Sequence, residues 1–114
     1  MFDPAVLVAL ALHAHELQPQ PAYEAKWLVK RTMPVVVRGK VTGVTLTKRG
    51  GNVRIFLDGE EGFFVYLPAA EVEHLGGFEA LSRWPGRPLS AMGKVRRFWG
   101  WTQLLGSVEA LVVE

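Results

Sequence analysis

The chain has 114 residues, 49% apolar and 21% charged, with 13 Lys and Arg against 11 Asp and Glu for a formal charge of +2. That length and balance suit one globular core, and so small a net charge favours no class of partner, leaving only the distribution of charge to be informative. Cysteine is absent, which excludes disulfides, thiolate metal sites and thiol catalysis and fits a reducing, cytoplasmic setting.

Asp3 followed by Pro4 is a helix start, because the carboxylate caps free N–H groups and proline's missing N–H costs nothing in the first turn. A helix over Pro4 to Leu17 is expected. Its run from Ala5 to Leu12 is apolar on all sides, which predicts burial on more than one face, as a cap on the rest of the fold or as a contact with a second subunit. The run is much shorter than the roughly 20 residues of a membrane span. Asp3 ahead of it is not the basic start of a secretory signal. His13 and His15 stand two apart, and on a helix such positions point away from each other, so no metal site is expected there. Gln18 to Pro21, with two prolines, reads as a linker; Tyr23 to Arg31 alternates as a strand would, yet Tyr23/Trp27 and Glu24/Leu28 also suit a short helix, which is favoured.

From Pro34 the pattern turns to strands punctuated by Gly: VVVRGKVTGVTLT, VRIFLD and FFVYLP form a three-strand meander. Gly50, Gly51, Gly59 and Gly62 serve its turns, and Gly39 and Gly43 allow the long first strand to bend. Pro68 to Trp84 reads as helical with a break at Gly76-Gly77, and two further strands, LSAMGKVRRF and WTQLLGSVEALVVE, close the chain.

In strand order and glycine rhythm, VVVRGKVTGV, VRIFLD, FFVYLP, LSAMGKVRRFWG and TQLLGSVEALVV resemble the strands of the OB-fold as found in anticodon-binding and single-strand-binding domains. The resemblance implies a mainly β fold: a five-stranded barrel over residues 34–114, with a helix between strands 3 and 4 and residues 1–33 as an N-terminal helical extension. The chain lacks the acidic tail of bacterial single-strand-binding proteins, ending in ALVVE, which disfavours that particular identity.

Period-two alternation puts Val53, Ile55 and Leu57, then Phe63, Val65 and Leu67, in the core, and leaves Arg54, Phe56, Phe64 and Tyr66 on the outer face. On a nucleic-acid-binding OB domain the resemblance makes that face a base-stacking platform. A competing expectation is that the N-terminal segment folds over Phe56, Phe64 and Tyr66 as a second small core.

Charge is segregated along the chain. Residues 25–57 hold eight basic side chains (Lys26, Lys30, Arg31, Arg38, Lys40, Lys48, Arg49, Arg54) and no acidic one. Residues 58–79 hold six acidic and no basic ones, and residues 80–108 hold five basic (Arg83, Arg87, Lys94, Arg96, Arg97) and no acidic ones. With the OB order the basic connections would flank one cleft, apart from the acidic stretch. Lys48, Arg49, Arg96 and Arg97, with Arg38, Lys40, Arg54 and Lys94, are the candidate phosphate contacts, and Phe98, Trp99 and Trp101 the candidates for added stacking. The same three aromatics also suit a small core at the barrel mouth or a protein-binding hot spot. No catalytic set, metal site or cofactor motif is recognised. The expected function is non-catalytic binding of single-stranded nucleic acid, DNA ahead of RNA. The alternative is a protein-interaction or assembly subunit, homodimeric through the N-terminal helix.

Overall fold

The computed structural model describes residues 19–29, 34–48 and 50–114. The helix expected over Pro4 to Leu17, the His13/His15 pair and the subunit contact assigned to that helix lie outside the described residues, as does Arg49. The described residues form six strands: β1 Pro19–Gln20, β2 Val35–Leu46, β3 Val53–Leu57, β4 Phe63–Leu67, β5 Pro88–Trp99 and β6 Thr102–Val113. The expected linker is therefore corrected in part. Pro19 and Gln20 pair in parallel with Val36 and Val37, a place proline can take because its locked φ suits an extended edge and its missing donor is not needed there. The segment after it forms α1 Ala22–Ala25, continued by a 3-10 turn at Lys26–Leu28.

β2 changes partner halfway along. Its first half, from Val35 to Lys40, pairs with β5, and its second half, from Val41 to Leu46, pairs with β3. β3 is antiparallel to β4, β4 is parallel to β6, and β6 is antiparallel to β5, so β2 to β6 join into a ring. The ring is uneven: β5 and β6 pair from Leu89↔Val113 to Trp99↔Thr102, whereas β4 meets β6 at Phe63, Phe64 and Val65 alone. The helical segment divides into α2 Ala69–His74 and α3 Phe78–Leu81, interrupted where Gly76 and Gly77 take φ of 102° and 85°. It lies between β4 and β5, not between the third and fourth strands, because β1 adds a strand ahead of the meander.

The interior is filled by the predicted alternation: Val53, Ile55, Leu57, Phe63, Val65 and Leu67 are each fully buried, together with Leu89, Ala91, Val95 and Leu105 from the long hairpin. Val72, Leu81 and Trp84 join this cluster from the α2–α3 side, and Ala22 and Ala25 join it from α1. Ala22 and Ala25 thus share one core with the strands that follow residue 34. On the outer side of the sheet the row Val36, Met92, Ala110 forms a second, smaller cluster.

Two local devices hold the bends. Asp58, at φ 55°, accepts a 2.9 Å hydrogen bond from the Lys40 N–H, and its carboxylate fills the space a Gly39 side chain would need, an ideal Cβ there lying 2.5 Å from Oδ2. At the far end of the meander, Asn52 Oδ1 accepts 2.9 Å from the Ala69 N–H, so the β2–β3 turn caps the start of α2. The β5–β6 crossing is as tight, since a Cβ on Gly93 would stand 2.5 Å from the Gly106 carbonyl oxygen.

Candidate nucleic-acid interface

The outer face of β3 and β4 carries Arg54, Phe56, Phe64 and Tyr66 as the alternation predicts, but not as an open platform. Phe64 is 2% exposed. Its ring meets Phe56 at 5.9 Å between centroids and takes Phe98 edge-on at 5.4 Å. The Arg54 guanidinium lies 5.1 Å from the centroids of both Phe64 and Phe98, beside the pair. Its Nε is buried without a hydrogen-bond partner, and the half-buried guanidinium makes cation–π contacts with both rings. The expectation that Phe64 offers its face to a base is corrected: Phe98, reaching back from the β5–β6 hairpin, covers it. The N-terminal segment, the cover the sequence suggested, lies outside the described residues. Phe56 and Tyr66 are half-buried.

The open surface is the hairpin itself. Lys94, Arg96 and Arg97 are exposed and, among the described residues, have no acidic partner. Phe98 is 47% exposed, Trp99 81% and Trp101 92%, while Gly100 turns the chain between the two indoles at φ 56°. Neighbouring strand residues point to opposite faces, so Arg96, opposite Leu104, and Arg97, opposite Gln103, diverge. The edge of β5 reconciles them. From Lys94 onward β5 pairs with β6 alone among the described strands, because β2 leaves it at Gly93. A chain lying along that free edge can be reached from both faces.

The remaining predicted cations are not gathered there. Arg38 is held at the other end of β5, donating from both terminal nitrogens to Glu114 at 3.1 and 3.2 Å and to Ser90 Oγ at 3.1 Å. That contact holds the Glu114 carboxyl below its ordinary value, through the hydrogen bond first and the charge second. Lys40 and Lys48 are exposed on β2 and in the turn after it. Lys26 is ion-paired with Glu60.

The expected separation of acidic from basic surface is also corrected. The parallel β4–β6 pairing brings the acidic β3–β4 turn against the hairpin, with the Gly62 carbonyl accepting 2.8 Å from the Gln103 N–H. Between them opens a cleft of about 340 Å³ lined by Lys26, Trp27, Glu61, Gly62, Trp101 and Gln103. Trp27, 72% exposed, is a residue the sequence did not single out for function. The signal available was its spacing of four from Tyr23, itself 56% exposed, which marks one helix face without saying whether that face is wet. Compared with known proteins, the chain matches no family model and no curated protein. Among the described residues, no helix is long and apolar enough to cross a membrane.

Proposed function

We propose that the chain is a non-catalytic binder of single-stranded nucleic acid built on an OB-type barrel. The ring order of β2 to β6, its long first strand with two partners and the helical segment between β4 and β5 support the OB-type reading. The observation that carries the function is the exposed β5–β6 hairpin, where, among the described residues, three cations without an acidic partner and two highly exposed indoles lie by a strand edge that no other strand covers. Cations that track phosphates and aromatic faces that accept any base are the two parts of sequence-tolerant single-strand binding. Trp99, Trp101 and the exposed side of Phe98 do the stacking, and Phe64 and Arg54 hold Phe98 in place. Lys94, Arg96 and Arg97 contact the backbone, with Lys40 and Lys48 adding to the field.

The test is fluorescence anisotropy of labelled single-stranded DNA and RNA oligomers at low and moderate salt. Binding that weakens with salt and drops about tenfold or more in a Trp99→Ala/Trp101→Ala variant is the expected result, at roughly 1–3 kcal/mol per stacked base. Absence of binding at low salt refutes the proposal and leaves these exposed aromatics as a protein-contact surface.

A further inference from the structure

Resting on that reading, we propose that the cleft between Trp27 and Trp101 takes a single guanine base, so that the module has one base-selective position beside an otherwise sequence-tolerant track. Trp27 and Trp101 are among the most exposed side chains described, yet both line the same cleft, and among the described residues neither packs on another aromatic ring. Solvent-exposed indole faces on a shared cleft are stacking surfaces awaiting a flat partner. At about 340 Å³ the space is at the lower end of small-molecule sites, about 300–1,000 Å³. It suits one base with its sugar and not two stacked nucleotides.

The polar lining decides which part of a nucleotide enters. Lys26 is already committed, ion-paired with Glu60 and lying 5.5 Å from the Trp27 ring centroid. That leaves Glu61 as the unpaired charge of the cleft among the described residues. A free carboxylate repels phosphate, so a strand arriving from the basic edge of β5 presents a base here and keeps its backbone outside.

The same carboxylate discriminates among bases. Guanine offers two adjacent donors, N1–H and the N2 amino group, matched to the two oxygens of one carboxylate. Adenine and cytosine place an acceptor nitrogen beside their amino group, and thymine and uracil flank a single N–H with two carbonyls, so each sets a lone pair against Glu61. Gln103 supplies an amide of the kind that satisfies the guanine O6 carbonyl.

The experiment uses the full chain and labelled oligothymidylate, alone and with one central guanine, adenine, cytosine or hypoxanthine. In the wild-type protein the guanine oligomer binds about tenfold more tightly than oligothymidylate, as one bidentate contact provides, and hypoxanthine, which lacks the N2 amino group, loses most of that gain. Because no counterion is released by a base contact, the guanine-to-thymidine ratio stays constant between low and moderate salt while both affinities fall. Glu61→Gln brings the ratio to within about twofold of one, and Trp101→Ala lowers it as well. Oligothymidylate binding with no guanine gain, or a gain that survives Glu61→Gln, overturns the base-selective cleft and leaves the single-strand reading standing. Failure of every oligomer to bind overturns both.

Discussion

Replacing Arg96 and Arg97 together by alanine removes two of the three cations along this edge of β5 that have no acidic partner among the described residues, and spares Lys94. On a single strand each neutralised phosphate adds about 0.7 to the slope of log affinity against log salt. Three contacts give a slope of about −2.1, so affinity falls roughly 18-fold between about 50 and 200 mM salt, whereas the variant, with one contact left, falls only about 2.6-fold. Contributions from Lys40 or Lys48 steepen both curves alike, so the difference of about 1.4 in slope is the quantity to read. Anisotropy titrations at four or more salt concentrations measure it. Arg38→Ala is the matched control, since its guanidinium is engaged by Glu114 and Ser90. A double variant with the wild-type slope, or an Arg38→Ala slope that falls as far, refutes the assignment of phosphate contacts to the hairpin.

Phe64→Ala, which empties a ring position packed by Phe56, Phe98 and Arg54, should cost about 3–5 kcal/mol in chemical denaturation, so any loss of binding in it reports folding and not a lost stacking face. Gly93→Ala drives a Cβ into the Gly106 carbonyl and should cost about 1–3 kcal/mol, while Gly43→Ala, whose Cβ would meet nothing nearer than 3.8 Å, should be close to neutral in the same assay. Asn52→Ala removes the acceptor for the Ala69 N–H and should cost about 0.5–2 kcal/mol in thermal unfolding. Glu114 has a folded pKa below its free value, so its contact with Arg38 is complete at neutral pH and is lost as pH falls through that lowered value; carboxyl NMR should show the titration moving up in Arg38→Ala.

The inward faces of β3 and β4 were legible in the sequence because each residue's side follows from a period of two, a rule needing no knowledge of partners. The break between α2 and α3 was legible for a similar reason, since the Gly76-Gly77 pair marks backbone of positive φ. What failed depended on distant residues. Phe64 occupies the outer position its period assigns, and there it is packed by Phe56, Arg54 and Phe98, the last brought over by the hairpin. Arg38 reads as a free cation until the chain returns Glu114 to it from 76 residues away. Charge blocks separate along the chain meet in space because β4 runs beside β6, bringing Gly62 to Gln103. Trp27 and Glu61, at residues distant in sequence, become one cleft through that same contact.

That parallel seam also sets a hazard during synthesis. β4, Phe63–Leu67, is an uncharged run of β-forming side chains, FFVYL, whose second edge is closed by β6 alone. Until β6 has left the ribosome, this edge has no partner among the described strands, and an open, apolar strand edge is a template for pairing with another copy. β6 therefore closes an aggregation-prone edge, and a nascent chain stalled before Thr102 leaves that edge open.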